Sequence, residues 1–168
     1  VFINALARKS ADLELREKEA RLSLIMEAAG AGLWIMDISG GRVWTTPKTR
    51  DLFAFSPDEA LTYDRFFEMI HPSDRSRVDL VVQRAIRSEE DLQCEYRIVL
   101  PDGSIRWIFA SGRLHRQSSE GLDCLMGVSL DISALKQMEG ELQDRLKEIE
   151  TLKRRLEDEN IYLRKALK

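Results

Sequence analysis

The segment LQCEYRIVL-PDGS-IRWIFASGRL, Leu92 to Leu114, decides the fold. Both arms are rich in β-branched and aromatic residues, and Pro101, Asp102, Gly103 and Ser104 between them have the chemistry of a tight reversal. The segment reads as a β-hairpin. A further strand-like run, Leu122 to Ile132, follows the loop Gln117 to Gly121. Side chains alternate across a strand, so Ile108, Ala110 and Gly112 share one face while Trp107, Phe109 and Ser111 share the other. On the last run Leu125, Gly127 and Ser129 oppose Met126, Val128 and Leu130.

Working back from the hairpin, His71, Pro72, Ser73 and Asp74 open a helix to about Ser88, with Val78, Val81, Val82, Ala85 and Ile86 at helical spacing. Three short helices are expected before it: Pro47 to Phe53, Pro57 to Leu61 with Ser56 as its cap, and Tyr63 to Ile70. Leu33 to Ile38 and Arg42 to Thr45 flank Ser39, Gly40 and Gly41 as a first hairpin. Ser10 to Ala29, free of proline and glycine, predicts an amphipathic helix ending near Gly30 and Gly32. The order is an α+β domain: a five-stranded antiparallel sheet with helices on one face, flanked by an N-terminal amphipathic helix and a C-terminal coiled-coil helix. The corresponding divisions are 1–29, 30–133 and 134–168.

These residues resemble the PAS family over about Leu22 to Ser133. The likeness is carried by Ile70 to Arg75, by Tyr96 to Trp107 with its central Pro101, Asp102 and Gly103, and by Gly127 to Ser133, the last two being the C-terminal PAC half. The resemblance implies a sensory or dimerising module. Asp131, Ile132 and Ser133 resemble the Asp-Ile-Thr junction that joins such domains to an output helix, with Ser133 keeping the hydroxyl of the usual threonine. By similarity to flavin-binding relatives, the sheet face with Cys94, Tyr96, Ile98, Ile108, Ala110, Gly112, Leu125, Gly127 and Ser129 looks onto the helices and a ligand cavity, joined by Trp34 and Met36. The same set also reads as a packed core without a ligand, because glycine permits close packing. The opposite face, with Trp107, Phe109, Val128 and Leu130, is an apolar patch that needs a flanking helix or a partner to cover it.

Composition sets limits on function. A net charge of −3 over 168 residues, with 43% hydrophobic and 33% charged, suits one core with solvated helices and lacks the basic stripe of a nucleic-acid surface. The two cysteines, Cys94 and Cys124, show neither paired metal-ligand spacing nor a secretory context, which points to a reducing, cytoplasmic compartment. Val1, Phe2, Ile3, Ala5, Leu6 and Ala7 before Arg8 and Lys9 read either as the tail of an upstream membrane span or as part of a helix. Catalysis has no evident home: no phosphate loop, nucleophile elbow or zinc-spaced cysteine set occurs. His71 precedes a proline at a helix start and reads as a capping residue, and His115 lies on a charged strand margin unlike a haem ligand's apolar wall. Cys94 lacks the asparagine-cysteine-arginine context of the family's photoactive cysteine and reads as a buried structural thiol. No haem or flavin is therefore expected, while an unidentified small-molecule ligand is compatible with the cavity face.

The C-terminal segment carries the other strong signal. Leu135, Leu142, Ile149, Leu156 and Leu163 recur every seven residues, with Met138, Leu152 and Ala166 among the intervening d positions. A seam of this kind predicts a parallel homodimeric coiled coil able to carry a change roughly 40 Å at about 1.5 Å per residue. Glu148 would face Lys153 of the second strand, while Arg145 and Glu159 at d and Gly140 leave the seam adjustable. The alternative is a solvated helix folded back on its own domain. The tail from Leu156 to Leu167 resembles the linker before AAA+ transcription activators of the alternative nitrogen sigma factor, and similar linkers lead into histidine kinases. Two function classes follow: a regulatory PAS module relaying a signal to a downstream output domain, or a ligand-free structural dimerisation and docking module.

Overall fold

A computed structural model describes residues 14, 16–18, 20–22, 24–26, 28–116 and 123–166. Val1 to Lys9, the positions of Leu13 and Leu15, and the loop Gln117 to Gly121 with Leu122 lie outside the described residues. Helical residues between 14 and 28 (α1) are followed by β1 (Gly32–Asp37), β2 (Arg42–Thr45), α2 (Pro47–Phe53), β3 (Leu61–Thr62) and α3 (Tyr63–Met69). Then come α4 (Pro72–Ser88), β4 (Leu92–Val99), β5 (Ile105–His115), β6 (Cys124–Asp131) and α5 (Ser133–Ala166). The chain divides into two compact units, Val1–Asp131 and Ile132–Lys168.

The sheet order is β3-β2-β1-β6-β5-β4, antiparallel throughout. The fold is α+β as expected, with six strands among the described residues where the sequence predicted five. The extra strand replaces the helix expected over Pro57 to Leu61. Arg50 donates to the carbonyl oxygens of Ser56 and Glu59, and the Glu59 carboxylate takes the Ser56 amide and the Arg65 guanidinium. Those ties hold the segment in turns, so Leu61 extends, pairs with Val43 and is buried. The first hairpin turns through Gly41 at φ +66° and the second through Gly103 at φ +83°, conformations that glycine adopts without steric cost.

Strand alternation has its physical counterpart in burial. Leu92, Cys94, Tyr96 and Ile98 of β4 are buried and Gln93 and Glu95 are exposed. The buried face continues through Ile108 and Ala110 of β5, Leu125 and Ser129 of β6, and Met36 of β1, and it shares one core with Leu52, Phe53, Val78, Val82 and Ala85 from the helices. Trp107, Phe109, Val128 and Leu130 lie on the opposite face, half-buried.

The free edge of β4 is covered by the start of α4. The Arg97 amide and Nε donate to Asp74 Oδ2 at 2.9 Å each and its Nη2 to Oδ1 at 2.7 Å, while the His71 amide donates to the Arg97 carbonyl. An edge strand left open would be a template for pairing with another chain, and these bonds occupy the edge at Arg97. His71 caps α4, its Nδ1 accepting from the Ser73 amide. The Arg97 guanidinium also lies over the Trp107 ring, 5.5 Å from its centre.

In the second unit, α5 is a continuous helix of 34 residues, about 50 Å long. Leu135, Met138, Leu142, Ile149, Leu152, Leu156 and Leu163 are each half or more exposed. Lys147 with Asp144 and Lys153 with Glu157 pair on its polar positions at helical spacing.

Candidate functional site

Between the sheet and its helices lies an internal cavity of about 60 Å³. The strands contribute Trp34, Met36, Cys94, Tyr96, Ala110 and Leu125 to its wall, together with Val43, Thr45, Leu61 and Leu92. The connecting helices and turns add Thr49, Phe55, Tyr63, Phe66, Val78, Val81 and Val82. No Asp, Glu, Lys, Arg or His stands in this wall among the described residues.

Gly112 and Gly127 sit in the sheet row that pairs with Trp34 and Leu92. The space above them belongs to the Trp34 indole: a Cβ on Gly127 would lie 2.5 Å from its Cζ2, and one on Gly112 would lie 2.8 Å from its Cη2. These glycines seat a tryptophan instead of opening the cavity. Ile98, Ile108 and Ser129 are on the same face, but fully buried and outside the cavity wall. Of the eleven residues proposed from sequence for a cavity, the structure thus brings six together around open space, and five lie beneath or beside it.

The remaining wall was not named from sequence. Strand alternation reports which residues share a face, whereas the cavity-facing side of the short α2 and α3 depends on how the turns hold them. Phe66 and Tyr96 meet edge to face at 6.1 Å, and Phe53 with Phe66 at 5.0 Å, so aromatic rings form much of the enclosure. Tyr63 is anchored outward, its hydroxyl donating to Asp79 Oδ1 at 3.4 Å. Thr49 Oγ1 donates to the Leu33 carbonyl at 2.7 Å and packs α2 on Gly32, where a Cβ would meet that hydroxyl at 2.5 Å.

Three buried hydroxyls, Thr45 Oγ1, Tyr96 Oη and Ser129 Oγ, lack a well-formed hydrogen bond among the described residues, and those of Tyr96 and Ser129 lie close enough to interact with each other. Thr45 and Tyr96 are in the cavity wall. Burial pushes the Tyr96 phenol well above its ordinary value, with the nearby Ser129 hydroxyl pulling it only part of the way back, so it stays a neutral donor and acceptor. Burial likewise raises the Cys94 thiol, against the Arg77 guanidinium 3.1 Å from its sulfur. A raised thiol is a poor nucleophile, in keeping with a structural cysteine. Neither histidine joins the cavity wall, since His71 caps α4 and His115 is exposed at the end of β5. A haem would find no axial histidine among the described residues of this wall.

At the opposite end of β6, Arg106 Nε lies 3.2 Å from Asp131 Oδ2, and the same guanidinium donates to the carbonyl oxygens of Asp51 and Leu52 at the end of α2. Asp131 is therefore tied to α2 through β5.

A curved antiparallel sheet with helices on one face thus encloses a small internal cavity between them. Residues 42–129 match the PAS fold family, and the chain belongs to it. Among bacterial relatives, the blue-light-activated histidine kinase of Brucella anthropi is 25% identical over 134 residues, covering 80% of this chain and 27% of the kinase. The sensor protein FixL of Bradyrhizobium diazoefficiens is 28% identical over 120 residues, 71% of this chain and 24% of FixL. The chain thus spans about a quarter of the length of these relatives. Among solved structures, a sensory box histidine kinase/response regulator from Burkholderia thailandensis superposes with a TM-score of 0.64 at 25% identity, covering 77% of this chain and 98% of that one.

Proposed function

We propose that this chain is a regulatory PAS sensor and dimerisation module of a bacterial signal-transduction protein. In this reading a change in the sheet or its cavity passes through Asp131 and Ser133 into α5, and a parallel coiled coil of two α5 helices carries it to a downstream histidine kinase or AAA+ activator domain. The observation that carries the reading is the exposed seven-residue seam on a helix that begins two residues after the last strand. Ile149 is 60% exposed and Leu156 60%, apolar surface that a single helix leaves in water and a second copy would remove. The sensor names of the relatives support the same class. Among the described residues no helix is long and apolar enough to cross a membrane.

Sedimentation of the chain tests the relay. The unaltered chain is expected as a dimer and the Ile149→Asp, Leu156→Asp double variant as a monomer. An unchanged dimer would move the interface to another surface and remove the coiled coil from the path. A ligand-free dimerisation and docking module is the second reading, favoured by the Trp34 indole that already fills the space over the two glycines.

A further inference from the structure

Leu146 is an apolar residue of α5 that the seam described so far does not use. It is 52% exposed, as open to water as Leu152 at 50%, yet it lies four residues after Leu142, on the opposite flank of the seam from Met138 and Leu152. In a coiled coil a line of residues seven apart can be completed by the residues three positions on or by those four positions on, and each choice makes a different contact face. With Leu135, Leu142, Ile149, Leu156 and Leu163 at a, position d holds Met138, Arg145, Leu152, Glu159 and Ala166. With the same line at d, position a receives Glu139, Leu146, Lys153 and Asn160.

Charge sets these two faces against each other. The first encloses Arg145 and Glu159 between the helices, whereas the second releases both and encloses Glu139 and Lys153. An ion taken out of water is costly unless it is well paired, so each face carries a defect that the other relieves. Contacts between the copies exchange in the same way: Glu148 at g meets Lys153 at e of the second copy in the first register, and Arg145 at g meets Glu150 at e in the second. Within one helix Lys153 pairs with Glu157 at 3.9 Å, an exposed contact that is easily given up. Asn160, whose side-chain amide donates to the Leu156 carbonyl at 3.1 Å, is a residue that a dimeric seam accepts at a.

We propose that two copies of α5 pair in parallel through either of these faces, the two registers differing by a rotation of each helix through about 50°, one heptad position, and that the balance between them is what a sensory change alters. The inference rests on the relay reading and specifies its motion. The shared line from Leu135 to Leu163 stays in contact in both registers, so the dimer persists while its helices turn. Two discrete packings of one pair of helices form the kind of bistable element that a small bias can shift.

Two leucine substitutions in the 168-residue chain test the proposal. Arg145→Leu completes the first face and removes an ion pair from the second, and Lys153→Leu does the converse. By sedimentation each variant alone should dissociate at a concentration at least about tenfold lower than the parent, since a buried leucine replaces a buried charge on both helices. Disulfide trapping then reads the register. Leu152→Cys should crosslink under mild oxidation in the Arg145→Leu chain and not in the Lys153→Leu chain, and Leu146→Cys should do the reverse, with the chain carrying only Cys94 and Cys124 as the blank. Tighter association in fewer than both leucine variants, or the same trapping pattern in both, would overturn the proposal. If that happens while Ile149→Asp, Leu156→Asp still gives monomers, the second register falls and the coiled-coil relay stands; if that double variant remains a dimer, α5 is not the interface and both fall.

Discussion

The Trp34 indole lies where side chains on Gly112 and Gly127 would have to go, and at Gly127 the backbone also objects, because a Cβ there would meet the Ser111 carbonyl oxygen at 2.2 Å. Overpacking a core position costs about 1–3 kcal/mol, and a backbone obstacle cannot swing aside as a side chain can. Gly127→Ala is therefore expected to lose at least about 2 kcal/mol in urea unfolding. Trimming Trp34 to leucine should not restore it. Nothing in the sequence distinguishes a glycine that leaves room from one that seats a distant ring, which is why a cavity face and a packed core are both compatible with these positions there. At the sheet edge, the hydrogen bonds from Arg97, reinforced by its charge and partly opposed by burial, hold the Asp74 carboxyl at about 2, below its ordinary 3.8. With the folded value lower than the unfolded one, the contribution is complete above about pH 5 and lost as pH falls to about 2, a change of about 2 kcal/mol for such a shift. Unfolding of Asp74→Asn should accordingly show a shallower acid limb than the parent between those pH values, superimposed on the slope from the other carboxylates. An acid limb identical to the parent's would remove Asp74 from the ledger.

Whole elements were legible where one rule governed them. Antiparallel pairing of β4 with β5, the α4 start at Pro72 and the two hairpin turns follow from alternation, proline and glycine chemistry that act within a few residues. The segment after α2 was not, since its conformation is set by Arg50 and Arg65 reaching across several residues to Glu59 and Ser56. Serine before proline is a fair helix start only when no such tie competes. In α5 the one glycine, Gly140, has open space where a Cβ would stand and no unusual backbone conformation to preserve. Gly140→Ala should therefore stabilise each helix by about 1 kcal/mol. If two α5 helices associate in the proposed seam and unfold on separating, the gain appears twice per dimer, and sedimentation at falling concentration should find the variant dissociating at roughly thirtyfold lower concentration. Unchanged dissociation, with circular dichroism showing that α5 unfolds in the dilute monomer, would mean that α5 is not in the interface.

At the scale of the whole molecule, the question is how a cavity of about 60 Å³ could bias a helix of 34 residues. The sheet offers a physical route: Ala110 in the cavity wall pairs with Ser129 on β6, and two residues beyond Ser129 the strand ends at Asp131. There Arg106 joins the Asp131 carboxylate to the carbonyl ends of α2, a helix whose Thr49 is itself in the cavity wall. The end of α2 and the end of β6 thus share one guanidinium. An exposed ion pair of this kind contributes roughly 0–1 kcal/mol, too little to decide whether the domain folds but comparable to the bias between two signalling states. We expect Asp131→Ala to lower the melting temperature of the isolated chain only slightly, and to lock the output of the full-length protein high or low. Arg106→Gln, which keeps a donor for the α2 carbonyls while removing the charge, should reproduce the locked output. A full-length Asp131→Ala protein that still responds normally would exclude this joint, and the signal would then have to leave the sheet at its other terminus, through the helix that ends at Gly30.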